Sequence, residues 1–250
     1  MVLTGGVFRY KPTVLVANHD ESFAMDIAIA LNRMGFDVIP VESGDDAVEV
    51  AVSFSPDIVM LDVDLPGTDG ITALKKIRAD NDMSEMQVVL MAYEKSDDIL
   101  LACERFRCCG IVTKPLNVVR FHEALQDCIK YPGGKKRRHL RSLYGRTVHL
   151  QYNGAKTDYE GISLSEGGMY LRGLKRYDAG LEVEVRFPVH DRTSMHLKGN
   201  VIYTKRAFGA IFDMGPGIAV EFGKMSDIDS ALLRDHICRS ITKGLSGVHA

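Results

Sequence analysis

Three groups of side chains in this chain have the makings of chemistry. Polar residues gather directly after apolar runs: Asn18, His19 and Asp20 follow Val14 to Ala17, Asp62 and Asp64 follow Ile58 to Leu61, and Lys114 follows Ile111-Val112, while the apolar Ala92 follows Val88 to Met91. Carboxylates placed in this way suit a hard divalent cation. The second group is the cationic run Lys135-Lys136-Arg137-Arg138-His139-Leu140-Arg141, which suits an anionic ligand such as phosphate, nucleic acid or a lipid headgroup. The third is Ser163-Leu164-Ser165-Glu166-Gly167-Gly168, where two glycines permit a tight turn and close backbone approach beside two hydroxyls. The five cysteines, Cys103, Cys108, Cys109, Cys128 and Cys238, lack CxxC spacing, so a disulfide framework or zinc site is not expected. Small apolar filling is their expected role, with vicinal Cys108-Cys109 as the redox alternative.

The elements that must hold these groups differ between the two halves. At 250 residues the chain can form two modest domains. Residues 1 to 130 hold 12 Lys+Arg against 21 Asp+Glu, a balance of −9, and residues 131 to 250 hold 19 against 12, or +7. In the first half, strand-like runs (Val14 to Ala17, Val38 to Val41, Ile58 to Leu61, Val88 to Met91, Ile111-Val112) alternate with segments of helical period (Phe23 to Met34, Asp46 to Val52, Ile71 to Ile77, Ile99 to Phe106, Val118 to Ile129). Such alternation predicts an open parallel sheet covered on both faces, with its chemistry at the carboxyl ends of the strands. From Tyr131 the helical period stops, and Pro132-Gly133-Gly134 with the cationic run reads as a linker over 131–142. Strand patterns follow at Thr147 to Tyr152, Met169 to Arg172, Leu181 to Phe187, Leu197 to Tyr203 and Ile218 to Phe222. An amphipathic helix is predicted over Ile228 to Thr242, to plug or flank the sheet.

Pro56 to Gly70, containing Asp62-Val63-Asp64, closely resembles the phosphoacceptor segment of response-regulator receiver domains, and Thr113-Lys114-Pro115 resembles their lysine-proline motif. The resemblance covers residues 12 to 130 and implies a flavodoxin-like (βα)5 fold. It makes Asp62 the candidate phosphoacceptor, Lys114 its paired cation and Asp64 the donor of a backbone carbonyl to the metal. Phosphoryl transfer to a carboxylate needs a divalent cation and preorganised donors around the equatorial oxygens. The chain departs from the family in those parts. Asn18-His19 stands where an acidic pair holds magnesium, Ala92 where a hydroxyl meets the phosphoryl group, and Ile111 where the family has a switch aromatic. Asp20, Asp62 and Asp64 are the carboxylates left to hold magnesium, which is not an expected cofactor, and conventional switching by phosphorylation is not expected. Asp62 and Lys114 would then be a residual ion pair. Asp62-Val63-Asp64 also fits the start of haloacid-dehalogenase-type phosphatases, but Pro66 stands where that family needs Thr or Val.

The cationic run and the serine-glycine segment together resemble the RxxxR and [DN]xSxxG signatures of PilZ domains, receptors for the bacterial second messenger cyclic di-GMP. Pro216 to Phe222 and the terminal helix are also like theirs. The resemblance covers about residues 135 to 243 and implies a small six-stranded β-barrel with a C-terminal helix. Arg137, Arg138 and Arg141 would clamp the ligand, since a guanidinium fork meets phosphate oxygens or guanine O6 and N7, and its face stacks on a purine. Ser163, Ser165, Gly167 and Gly168 would form the opposing platform. Ser163 departs from the usual Asp or Asn. Losing one strong hydrogen bond, ~1.5 to 3 kcal/mol, would weaken affinity by about tenfold to a hundredfold.

The expected organisation is thus a receiver-like domain at 1–130, a basic linker at 131–142 and a barrel domain at 143–250. The expected function is a cytoplasmic cyclic di-GMP effector and not an enzyme, acting on motility, adhesion, exopolysaccharide or virulence. Its partners would be protein machinery of motility or the envelope, a histidine kinase if the receiver is used, and a second copy through the receiver. Neither DNA reading nor membrane insertion is expected: there is no recognition-helix pattern, no signal-peptide pattern and no apolar run of ~20 residues. Two alternatives remain open: an adaptor in which both domains have lost ligand chemistry, and a phosphorylation-controlled regulator with PilZ output.

Overall fold

The computed structural model describes residues 11–129, 139–190, 193–205 and 215–250. They form two compact units, with the boundary between Arg138 and His139. The segment Gly244–His249 groups with the first unit, although the sequence places it in the barrel domain.

The first unit is a five-stranded parallel sheet in the order β2-β1-β3-β4-β5, from β1 (Thr13–Ala17), β2 (Asp37–Val41), β3 (Ile58–Asp62), β4 (Gln87–Ala92) and β5 (Gly110–Thr113). Five helices connect and follow them: α1 (Glu21–Arg33), α2 (Gly44–Phe54), α3 (Gly70–Ala79), α4 (Asp97–Arg105) and α5 (Val118–Cys128). β3 is buried at every position, as expected for a central strand covered on both faces. Its alternate residues Val59 and Leu61 join Leu15, Ala17, Ala47, Ala51, Leu74 and Ile77 in one core layer. The helix starts are set locally: Asp20, Ser43, Asp69, Ser96 and Asn117 each accept a backbone N–H with a side-chain oxygen, satisfying groups that the first turn leaves free. The sheet order reverses between β1 and β3, which opens a crevice at their carboxyl ends. A two-residue strand, β6 (Leu116–Asn117), pairs in parallel with β13 (Val248–His249). The sequence pattern announces neither.

The second unit is a closed antiparallel barrel in the order β10-β11-β12-β9-β8-β7. Its strands are β7 (Arg141–Tyr152), β8 (Ala155–Ser165), β9 (Gly168–Arg172), β10 (Glu182–His190), β11 (Thr193–Lys205) and β12 (Gly217–Phe222). β10 alternates exposed and buried positions, and Val183, Val185, Phe187 and Val189 fill the interior. Phe187 stacks on Phe222 at 5.8 Å between ring centroids. Helix α6 (Asp227–Thr242) packs on β7, β8 and β10 through its buried Leu233, His236, Ile237 and Ile241, flanking the barrel as the amphipathic pattern predicts. The sequence pattern misses β8 as a strand and starts β7 six residues late, so Arg141, expected in the linker, opens a strand.

Candidate functional site

The crevice of the first unit holds one buried carboxylate. Asp62, the last residue of β3, is fully buried, and both its oxygens are engaged. Oδ2 accepts from Asn18 Nδ2 at 2.7 Å and from Lys114 Nζ at 2.7 Å, and Oδ1 accepts from the backbone N–H of Asp64 at 3.2 Å. Asn18 is itself 1% exposed and is held in orientation because its Oδ1 accepts from the Asp20 N–H at 2.8 Å. Asp20 caps α1, and His19, Asp20 and Asp64 are exposed. Lys114 leaves β5 with its N–H donating to the Ala92 carbonyl at 2.8 Å. Its ammonium lies 4.1 Å from the Tyr93 ring centroid and 5.7 Å from that of Phe23, so the cation is shared between one carboxylate and two aromatic faces. Ala92, 1% exposed, brings no hydroxyl to this crevice.

All predicted residues of this crevice therefore meet around Asp62 or on its rim, but the donor set does not fit magnesium. A hard cation needs several free oxygen lone pairs. Here Oδ2 of the buried carboxylate already accepts from two N–H donors, Asn18 turns its NH2 group toward it, and the other carboxylates, Asp20 and Asp64, are exposed. Among the described residues no group of three or more His, Cys, Asp or Glu is arranged to hold a metal ion.

In the second unit the β8–β9 hairpin carries the serine-glycine segment, with Glu166 and Gly167 as its turn. Ser165 and Gly168 pair across the hairpin, and Ser165 Oγ donates to the Gly168 carbonyl at 3.0 Å. On the other side of β8, Arg141 pairs with Ser165 and Leu143 with Ser163. Strand pairing thus brings the end of the cationic run beside the serine-glycine segment, although more than twenty residues separate them in sequence. Gly168 is required by packing: a Cβ there would lie 2.3 Å from the Val220 carbonyl oxygen of β12. At Gly167 a Cβ would meet the His139 ring at 2.8 Å, so that ring lies on the turn. Ser163 and Ser165 are 2% and 5% exposed. Arg137 and Arg138 lie outside the described residues.

Three residues without an assigned role in the sequence reading belong to this hairpin's surroundings. Glu166, largely buried, accepts from Arg234 Nε of α6 and lies 3.5 Å from His139 Nδ1. The same carboxylate holds the Arg234 guanidinium above its usual pKa. Glu166 and His139 stand inside the two motifs and could have been suspected as a pair. Arg234 sits 68 residues from Glu166 and gives no local signal.

Residues 14–126 match the response regulator receiver domain family and residues 135–239 match the PilZ domain family. The chain joins a receiver domain to a PilZ domain. The receiver segment is 33% identical over 87 residues to the alkaline phosphatase synthesis transcriptional regulatory protein PhoP of Bacillus subtilis, covering 35% of this chain and 36% of that protein. It is 34% identical over 94 residues to the DNA-binding response regulator MtrA of Mycobacterium tuberculosis, covering 38% of this chain and 40% of that one. The chain thus matches about two fifths of the length of these curated relatives. Among solved structures, a putative response regulator from Chloroflexus aurantiacus superposes with a TM-score of 0.46 at 21% identity, over 48% of this chain and 98% of that one. The chemotaxis response regulator CheY4 of Vibrio cholerae gives 0.45 at 20% identity, over 48% and 100%. Receiver and PilZ domains are non-catalytic signalling domains, and PilZ domains form a cyclic di-GMP-binding effector family. No helix among the described residues is long and apolar enough to cross a membrane.

Proposed function

We propose that this receiver–PilZ protein is a cyclic di-GMP effector in a bacterial regulatory pathway, with a receiver that is not switched by phosphorylation. The observation that carries the reading is the pairing of Arg141 with Ser165, which joins the cationic run to the serine-glycine hairpin. Cyclic di-GMP presents two phosphates and two guanine edges. The run supplies five Lys and Arg in seven residues, and no Asp or Glu occurs between Asp127 and Asp158 to neutralise them. Arg137, Arg138 and Arg141 would take phosphates and guanine edges, and the hairpin backbone at Gly167 and Gly168 would admit the ligand closely.

The receiver supports the second part of the reading. A phosphoryl group on Asp62 would have to fit beside the Asn18 and Lys114 contacts, and would need a cation held with help from the exposed Asp20 and Asp64 and a hydroxyl that Ala92 lacks. The adaptor reading is favoured by one observation: Ser163, at 2% exposed, is too buried to reach a ligand edge in this conformation.

Calorimetric titration of the whole protein with cyclic di-GMP separates the two, beside an Arg137→Ala, Arg141→Ala double variant. Saturable binding that the double variant loses supports the effector. Equal binding by both proteins refutes the assignment of the arginines, and an absence of heat at high ligand concentration puts the adaptor first.

A further inference from the structure

α6 ends at Thr242, and the segment Gly244–His249 that follows belongs to the receiver's compact unit. Gly244 takes a positive φ of 76°, a conformation that glycine adopts at little cost, and the following residues dock on α1 and β6. The docking is built from several unlike contacts. Asp26 Oδ2 on α1 accepts three hydrogen bonds: from the Ser246 N–H at 2.8 Å, from Ser246 Oγ at 2.9 Å and from the Gly247 N–H at 2.8 Å. Leu116 donates its N–H to the Gly247 carbonyl at 2.8 Å. Val248 and His249 pair with Leu116 and Asn117, and Val248 is 1% exposed. Gly247 lies so close to the Phe23 ring that a Cβ would sit 2.4 Å from it. Polar, backbone and apolar contacts coincide over only six residues.

These contacts converge on the neighbours of one functional side chain. Leu116 is two residues from Lys114, and Phe23, against which Gly247 packs, is one of the two rings beside the Lys114 ammonium. Lys114 in turn holds Asp62. Asn117, paired with His249, also caps α5 by accepting from the N–H groups of Val119 and Arg120. The segment therefore touches the Lys114 environment by backbone and by side chain, and Lys243 alone separates it from the barrel's helix.

We propose that Gly244–His249 is an intramolecular strap that couples the Asp62–Lys114 pocket of the receiver to helix α6 of the barrel. A rearrangement of α6 that exceeds the slack of residues 243–245 must either pull on α1 and β6 or strip the strap from them. Conversely, a change at Lys114 alters the surface on which the strap rests. This coupling does not depend on the identity of the barrel's ligand.

Hydrogen exchange read by mass spectrometry on the full chain tests it, in wild type, Asp26→Ala, Ser246→Pro and Lys114→Met. Ser246→Pro removes two of the three donors to Asp26, both outside the receiver core, so the receiver folds in that variant even if Asp26→Ala compromises it. In wild type, peptides covering 244–249 and 115–118 should be protected together. Releasing the strap should speed exchange in both by at least about tenfold, since each lost charge-assisted hydrogen bond is worth that much. Exchange should also rise in α6, while β1 and β3 stay as in wild type. Lys114→Met should loosen 244–249. Exchange of 244–249 at the free-peptide rate in wild type overturns the docking. Release of the strap without change in 115–118 and α6, or an unaffected strap in Lys114→Met, overturns the coupling.

Discussion

Replacing Asn18 by Asp makes a near-isosteric change that asks whether the receiver's amide does the work of a metal ion. In wild type the Asn18 Nδ2 donates to Asp62 Oδ2 at 2.7 Å. In Asn18→Asp, two carboxylates face each other at that spacing, with only Lys114 to offset them. At an effective dielectric of about 20, like charges about 4 Å apart repel by about 4 kcal/mol. Uptake of a proton sets a ceiling of similar size: neutralising a carboxyl of reference pKa about 3.9 at pH 7 costs about 4 kcal/mol. With Lys114 offsetting part of this, the expected loss at pH 7 is roughly 2 to 4 kcal/mol, or a drop in Tm on the order of 10 °C. Repulsion by Asp62 favours the neutral form of the introduced carboxyl on folding, so the native state of the variant binds the extra proton. The defect should therefore grow as pH rises from about 4 to 7 and vanish below that window. Millimolar magnesium should restore the variant by occupying the paired carboxylates, and should leave wild type unchanged. Calorimetric scans of both proteins with and without magnesium read all of these effects. An Asn18→Asp protein as stable as wild type at pH 7 without metal, or a wild type equally stabilised by magnesium, would refute the account of the pocket.

Other expectations follow from single contacts. Acetyl phosphate with magnesium should add no mass to wild type; an 80-Da-class phosphoryl adduct lost in Asp62→Asn, on the order of one per chain, would show that the pocket opens. Gly168→Ala should destabilise the barrel by about 1 to 3 kcal/mol in urea unfolding, because the new methyl meets the Val220 carbonyl at 2.3 Å; a neutral effect would mean that β9 and β12 separate readily. Burial first, then Arg146 and His190, hold His236 below its usual pKa against the Val189 hydrogen bond and Asp235. The unfolded chain thus takes up a proton that the folded barrel does not, so stability should fall as pH drops below about 6.5, and His236→Gln should flatten that slope in Tm measured from pH 7.5 to 5.5.

The sequence reading went furthest where periodicity and strand-end polarity coincide. All five receiver strands and helices lie where the alternation predicts, and Asn18, Asp62 and Lys114 meet because consecutive parallel strands bring their carboxyl ends together. β8 was illegible because Ala155–Ser165 is rich in polar and small residues, and its pairing with β7 and β9 supplies what its pattern lacks. Arg141 looks like linker for the same reason: charge dominates the local pattern, while its strand character comes from pairing with Ser165. The Glu166–Arg234 contact and the docking of Gly244–His249 join residues 68 and more than 200 positions apart. Nothing local marks either, since Ser246 and Gly247 would read equally well as a solvated end of the chain.

Under the proposed function, a receiver that does not switch still takes part in signalling if it serves as the fixed end of a coupled pair. Coupling between sites is reciprocal: whatever free energy the barrel's ligand imposes on the strap, the strap's docking imposes on the ligand. The Asp62–Asn18–Lys114 cluster narrows the pocket's alternatives, because releasing Lys114 leaves buried charges without compensation and releasing Asn18 loses a buried charge-assisted hydrogen bond. On the proposed coupling, the surface presented to Gly247 and Val248 is held by the same contacts. Under the proposed function, a ligand at the β8–β9 hairpin that reoriented α6 through Glu166 and Arg234 would work against that fixed surface. Variants that loosen the receiver pocket should therefore alter nucleotide affinity at the barrel without touching the binding residues. Lys114→Met is the direct case: a shift in the cyclic di-GMP dissociation constant that accompanies the loss of strap protection supports coupling, and an unchanged constant with a loosened strap shows that the barrel reads its ligand independently.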